Sequence, residues 1–300
     1  MSSQVVSQNQ VVTQNVAALY AAPGTDSEMV SQTILGERVE VTETQSGFCR
    51  VTTEDQYSGW IDARLLTPQS DFGDLLTTTI ATLFADVYTY AGADSEILTK
   101  LTAGTRIALD RQTETGEWAS VLLPGGERGF IHPVSLSRTY DADNLQAAAE
   151  HGLSRQDIVS ALGTVVADTA KRLIGTPYLW GGTTPFGIDC SGLIQLAYKL
   201  SGLQLLRDAH QQFADRRFER VEAEQSLDLA ILDAGDLVAF SRRDDRRPTH
   251  IGIALGDGRF LHSRGGLGVR IDFCDTPEYL QTYLGAVRLR PDADFSVQGA

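Results

Sequence analysis

Cys190 stands where an irregular Gly- and Pro-rich loop gives way to an apolar run, in GTPYLWGGTTPFGIDCSGLIQLAYKLSG (175–202). A thiol in the first turn of a helix lies among unpaired N–H groups at the positive end of the helix dipole. That setting lowers its pKa from the free value of about 8.5 and favours the nucleophilic thiolate. Asp189, one residue earlier, is a natural N-cap. A small buried hydrophobe would also account for a lone cysteine, so the decision rests on whether a base is available.

THIGIALGDGRFLHS (249–263) supplies two histidines. HIGIAL and RFLHS flank the turn signal GDG, so the segment is expected to be a β-hairpin centred near Gly256, with His250 and His262 as directly opposed neighbours on one face. One imidazole would take the thiol proton while the other holds its ring in the productive tautomer. A cysteine and two histidines also make a zinc ligand set with an open position. No further carboxylate or thiol at ligand spacing accompanies them, and a cysteine at a helix start after a glycine loop suits a nucleophile better.

The elements that must carry these residues follow from periodicity. From about residue 140 the chain is Ala-rich and helical in period up to a stop at Gly175 and Pro177. The CSGLIQLAYKLSG helix comes next, and DLVAFS, HIGIAL, RFLHS, GVRIDF and LGAVRLR are strand-like. Helices followed by an antiparallel sheet make an α+β domain. The first half repeats itself: TDSEMVSQTILGERVEV (25–41) answers ADSEILTKLTAGTRIAL (93–109), and GFCRV…SGWI answers EWASV…RGFI. Trp60 matches Phe130, Cys49 matches Ala119, Glu28 matches Glu96 and Tyr57 is set against Arg128. Short alternating runs such as RVEVTE and RIALDR, with a turn signal every ten or so residues, describe a small all-β barrel present twice.

Composition narrows the partners. With 25 Lys and Arg against 39 Asp and Glu the net charge is −14, which argues against nucleic acid and anionic surfaces. Three cysteines at 49, 190 and 274 make neither a disulfide framework nor a short zinc spacing. The N-terminus lacks the charged and apolar regions of a signal peptide, and no run of about 20 apolar residues occurs. The expectation is a cytoplasmic monomer with no membrane partner, or a cell-envelope protein if a native N-terminal signal is missing.

These motifs resemble the NlpC-type family of papain-like cell-wall peptidases, with Pro-Tyr-x-Trp-Gly-Gly, Asp-Cys-Ser-Gly and the two spaced histidines in family order across roughly residues 160–290. The resemblance implies an α+β papain-like catalytic domain (140–300) preceded by two small all-β SH3-like barrels (1–70 and 71–139). It implies Cys190 as nucleophile, His250 as base, His262 as the orienting residue, and no metal or organic cofactor. The family hydrolyses murein stem peptides, commonly between γ-D-glutamyl and a diamino acid. Tyr178 resembles a tyrosine that lines the site, and it would also serve as a loop-packing aromatic, as Trp180 does. RDAHQQF (207–213) is similar to a segment of members that take peptides with a free N-terminal L-Ala. There the ammonium is bound by the residues matching Asp208, Asp189 and Ser191, with Glu28 and Tyr57 as candidates from the first barrel. His210 reads as a surface histidine, Cys49 and Cys274 as structural, and His132 and His151 have no evident partner. Two alternatives stand beside this reading: a hydrolase of polymeric peptidoglycan anchored by its SH3-like pair, and a non-catalytic murein-binding protein.

Overall fold

The computed structural model describes residues 8–69, 77–92, 94–110, 117–136, 154–221 and 231–293. The chain forms two compact units, 1–139 and 140–300. His151 and the Ala-rich start of the helical stretch lie outside the described residues.

The first unit builds one sheet design twice. Strands β1 (Gln8–Val12), β2 (Val16–Tyr20), β3 (Met29–Ile34), β4 (Arg38–Gln45), β5 (Phe48–Thr53), β6 (Ser58–Asp62) and β7 (Leu66–Pro68) lie in the order β3-β2-β6-β5-β4-β1-β7. Strands β8 (Thr77–Thr79), β9 (Phe84–Tyr88), β10 (Ile97–Thr102), β11 (Arg106–Leu109), β12 (Ala119–Leu122) and β13 (Arg128–Ile131) follow the same order, β10-β9-β13-β12-β11-β8. A single bridge, Ile80 to Leu136, stands where β7 would be. Alternation sets the faces: in β4, Val39 and Val41 turn inward while Arg38 and Glu40 are exposed. Val12, Leu19, Val51 and Ile61 complete the first core, with Cys49 among them. Ile80, Val87, Leu101, Val121 and Ile131 form the second, which also takes Leu35 from the first barrel. Each such side chain contributes about 1.5–3 kcal/mol on burial.

The strand register corrects one repeat assignment. Trp60 pairs with Tyr20 as Phe130 pairs with Tyr88, but Arg128 lies opposite Leu122 just as Ser58 lies opposite Thr52. The counterpart of Tyr57 is therefore Glu127. Their carbonyls accept from the Thr53 and Leu123 N–H at 2.9 and 2.8 Å, closing equivalent hairpins.

The second unit is α+β. Helix α1 (Arg155–Lys171) starts at a capping box in which Ser154 and Asp157 each accept from the other's backbone N–H. Helix α2 is Cys190–Leu200, α3 is Ala209–Phe213 and α4 is Pro277–Thr282. A two-stranded ribbon, β14 (Thr183–Thr184) and β15 (Gly187–Ile188), precedes α2. The main sheet holds β16 (Phe218–Val221), β17 (Leu237–Phe240), β18 (His250–Ala254), β19 (Arg259–Arg264), β20 (Gly268–Phe273) and β21 (Tyr283–Leu289), all antiparallel, in the order β16-β21-β17-β18-β19-β20. All five strand-like runs of the sequence are present, while β16 and α4 carry no comparable sequence signal. Each residue of α2 from Cys190 to Tyr198 is buried, so this helix is clasped on all sides and its first turn is held rigidly.

Candidate active site

The loop before Cys190 is shaped by close backbone approach. A Cβ on Gly192 would fall 2.2 Å from the Gly182 carbonyl oxygen, and one on Gly182 would fall 2.3 Å from that of Gly187, so the start of α2 seats directly on the Gly-Gly turn. Asp189 caps α2: Oδ1 accepts from the Gly192 N–H at 2.7 Å and Oδ2 from the Gly181 N–H at 3.0 Å. The Ser263 hydroxyl, beside His262, donates to the Ile188 carbonyl at 2.7 Å. That bond ties the strand leading into Cys190 to the histidine hairpin.

Cys190 and the histidine strand meet at the sulfur, where the N–H of Ile251, the neighbour of His250, makes a hydrogen bond. His250 Nε2 and His262 Nδ1 lie 2.7 Å apart, and the rings are 4.9 Å apart and steeply inclined. The expected direct opposition of the two histidines is not what brings them together. Ile253 pairs with Leu261 and Ala254 with Phe260, so the hairpin is centred on Asp257, and His250 and His262 are diagonal neighbours on one face. The turn explains the shift: Gly256 and Gly258 both adopt left-handed conformations (φ 88° and 75°) around Asp257, and the Leu255 N–H closes on the Arg259 carbonyl at 2.9 Å. Phe260 packs on His262 with centroids 4.4 Å apart, and His262 is fully buried.

Burial sets the protonation states. It pushes the Cys190 thiol up to about 12, with the Asp189 charge adding and the Ile251 N–H, Arg207 and the Ser191 N–H opposing. The activation expected from the helix start is present in sign but outweighed by desolvation. Burial, with His262 and Arg264, pulls His250 down to about 3. His262 falls to about 4 through burial, against the hydrogen bond to Asp272. Both directions favour a neutral thiol and a neutral imidazole over an ion pair at rest.

This geometry has relatives. The NlpC/P60 family model matches residues 175–288 and the bacterial SH3 domain model residues 15–67. The gamma-D-glutamyl-L-lysine dipeptidyl-peptidase of Bacillus cereus is 28% identical over 282 residues, spanning 88% of this chain and 76% of that protein. Murein DD-endopeptidase MepS/murein LD-carboxypeptidase of Escherichia coli is 30% identical over 163 residues, 53% of this chain and 79% of that one. The chain belongs to the NlpC/P60 family. An NlpC/P60 protein from Bacillus cereus, known from a crystal structure, shares its fold: the TM-score is 0.74 at 22% identity, with 94% of this chain and 99% of that one covered. This NlpC/P60 protein is a cysteine peptidase.

The other sequence-derived residues divide. Tyr178 bridges to Ile188 through its backbone, and its half-buried hydroxyl is pushed up to about 12 by burial first and then by the neighbouring Cys190 and Asp189. It therefore faces the same site. Trp180, expected to pack the loop, is 60% exposed. Asp189 and Ser191 are already engaged by Arg207, which sequence reasoning passed over. Its guanidinium, 2% exposed, grips Asp189 at 3.1 and 2.5 Å and donates to Ser191 Oγ at 2.9 Å. Their evident work is to hold the start of α2. Asp208 begins α3, where its N–H donates to Gln211 Oε1 at 3.0 Å, and it lies 3.9 Å from His210. Arg247 contacts His210 at 2.7 Å, and His132 accepts the Val134 N–H at 3.3 Å. Cys274 is buried, as expected of a structural residue. Glu28 is exposed and Tyr57 half-buried, and both belong to the 1–139 unit.

Asp272 was also missed. Its Oδ2 accepts from the Tyr279 hydroxyl at 2.9 Å and lies 3.1 Å from His262 Nε2, while Arg270 Nε holds Oδ1 at 2.7 Å. The signal was available in GVRIDF: once His262 is set opposite Arg270, period-2 alternation puts Asp272 on the histidine face. Among the described residues no group of three or more His, Cys, Asp and Glu side chains is arranged to hold a metal.

Proposed function

We propose that the protein hydrolyses the bond between γ-D-glutamate and a diamino acid in murein peptides with a free N-terminal L-Ala, releasing L-Ala-γ-D-Glu. Cys190 is the nucleophile in this reading. As Sγ attacks the carbonyl, its proton passes to His250, which delivers it to the leaving amine. Water then hydrolyses the thioester with His250 again as base. The N–H of Cys190, in the first turn of α2, is the donor suited to the developing oxyanion. His262 orients His250, and Tyr178 lines the acyl side.

The single observation that carries the reading is that the Cys190 sulfur meets the backbone N–H of Ile251, next to His250, whose ring lies 2.7 Å from His262. The dipeptidyl-peptidase named above, which this chain matches over most of both lengths, supports the substrate class. The substrate ammonium would be read by Asp208, while Asp189 and Ser191, engaged by Arg207, shape that side of the pocket. A carboxylate that loses its cationic partner in a closed cleft discriminates strongly against a blocked amine. Mass spectrometry of products from L-Ala-γ-D-Glu-meso-diaminopimelate and its N-acetylated form is the test. Dipeptide release from the free peptide alone is expected, and equal cleavage of both would refute amine recognition and favour attack on polymeric wall.

A further inference from the structure

A pair of touching imidazoles does not by itself define a base. Each ring carries one hydrogen when neutral, and only one distribution of the two leaves a lone pair on His250 for the thiol. The 2.7 Å contact requires that one of His250 Nε2 and His262 Nδ1 donate and the other accept. Which does so is decided at the far side of His262, by what faces its Nε2.

Asp272 Oδ2 and the Tyr279 hydroxyl face it at 3.1 and 3.4 Å, and the Asp272 carboxylate is anchored from two directions. Tyr279, on α4, donates to Oδ2, and Arg270, two residues away on β20, holds Oδ1 at 2.7 and 2.6 Å. Arg264 in turn donates to the Tyr279 hydroxyl at 3.1 Å and pairs with Glu278 at 2.9 Å, so Tyr279's own hydrogen is directed at Asp272. The carboxylate side chain is 12% exposed. An ionised carboxylate only accepts, so His262 Nε2 must carry the hydrogen and its Nδ1 must be the acceptor.

We propose that Asp272 is a positioning residue for the peptidase reaction, extending the relay to Cys190–His250–His262–Asp272 and fixing both imidazoles as Nε2–H tautomers so that His250 Nδ1 is the base. The inference rests on the functional reading above for the identity of the base, not for the substrate. When the thiol proton moves to His250 Nδ1, the new positive charge is met through His250 Nε2–H to His262 and through His262 Nε2–H to Asp272. No second proton has to transfer. A carboxylate at the end of the chain thus stabilises an imidazolium that burial alone would oppose.

The electrostatics agree. Burial alone would raise Asp272, but Tyr279, His262 and Arg270 outweigh it and hold the carboxyl below its ordinary value. The charged groups facing His250 are Arg264 and Arg242, which lower it, and Asp272, which raises it. Those facing His262 are Asp272, which raises it, and Arg264 and Arg270, which lower it. Removing the Asp272 charge therefore moves the protonation of the pair to lower pH.

The test combines Asp272→Asn with nitrogen-15 spectra of the histidine rings in the full wild-type chain. In the wild type both His250 and His262 are expected as Nε2–H tautomers; an Nδ1–H tautomer for His262 would overturn the proposal whether or not any variant folds. Asp272→Asn, whose amide can donate to Nε2 and reverse both rings, should lower kcat roughly 10- to 100-fold, less than the loss when the orienting carboxylate touches the base itself. KM should stay within about twofold, and the acid limb of the pH profile should move down. On a His262→Ala background the same substitution should cost nothing further, because Asp272 acts through that ring. Wild-type kcat with an unmoved acid limb, or full additivity with His262→Ala, would overturn it. The alkylation rate of Cys190 by iodoacetamide against pH reads the same relay without a peptide. A shifted alkylation profile in Asp272→Asn, with no murein peptide cleaved by the wild type, would sink the substrate reading and leave the relay standing.

Discussion

The two units differ in what they bury. Among the described residues, every buried polar side chain of the 1–139 unit is a serine or threonine, whereas the 140–300 unit buries Asp189, Arg207, Asp236 and His262 along with Gln195 and Gln212. Even where a hydroxyl such as Thr105 Oγ1 or Ser120 Oγ has no hydrogen-bond partner, it costs far less than an unpaired charge. Buried ionisable groups are costly unless each is paired, so a fold that keeps several of them in one region marks where its chemistry lies. The duplicated barrels show the converse: the same strand order survives with Cys49 replaced by Ala119 and Trp60 by Phe130, because volume and alternation are all that such a core requires.

The sharpest way to break this contrast is at its centre. Cys190→Ala should reduce peptide turnover by roughly 10⁴-fold or more while leaving binding intact. Steady-state kinetics beside calorimetric binding checks it, and retained turnover would mean that the polar cluster is only structural.

Arg207→Ala comes next, since it leaves Asp189 buried without its partner. A loss of about 3–5 kcal/mol is expected from urea unfolding. The double variant Asp189→Asn, Arg207→Met keeps a capping side chain and should recover more than half of that loss. No recovery would mean that the segment is held by packing rather than by charge.

Acidification should separate the units. His250 and His262 sit below the ordinary 6.5, at about 3 and about 4, so the unfolded chain binds more protons than the folded one as pH falls from 6.5. Stability from these two groups is complete above that value and is lost on the way down toward their folded values. Hydrogen exchange at pH 7 and pH 4.5 should show loss of protection in the 140–300 unit well before the barrels, and uniform loss would contradict the assignment.

The smallest expected effect lies in the barrels. Gln56 occupies a left-handed turn position (φ 65°) that Gly126 takes in the other repeat (φ 84°). Gln56→Gly should stabilise the first barrel by about 0.5–1 kcal/mol, readable as a raised melting temperature with peptide turnover unchanged.

Local pattern alone carried the repeat, the β-barrel alternation, the antiparallel strands after the Cys190 helix and the identity of the cysteine and histidines. The repeat shows as self-similarity between residues 25–41 and 93–109, and the others depend on a period of 2 or 3.6, or on a glycine that a turn demands, signals that lie within a dozen residues. Where the hairpin was centred depended on which of two glycines flanked the turn midpoint, and tertiary pairing put it at Asp257. Helix-start placement pointed to a lowered Cys190 pKa, but burial reversed that direction, because desolvation is a property of everything packed around the sulfur. Arg207 and Asp272 were plain charged residues in the sequence. They became the supports of the site only when residues 189 and 207, or 262 and 272, were brought within hydrogen-bond distance, since a side chain's partner is chosen by the fold and not by its neighbours along the chain.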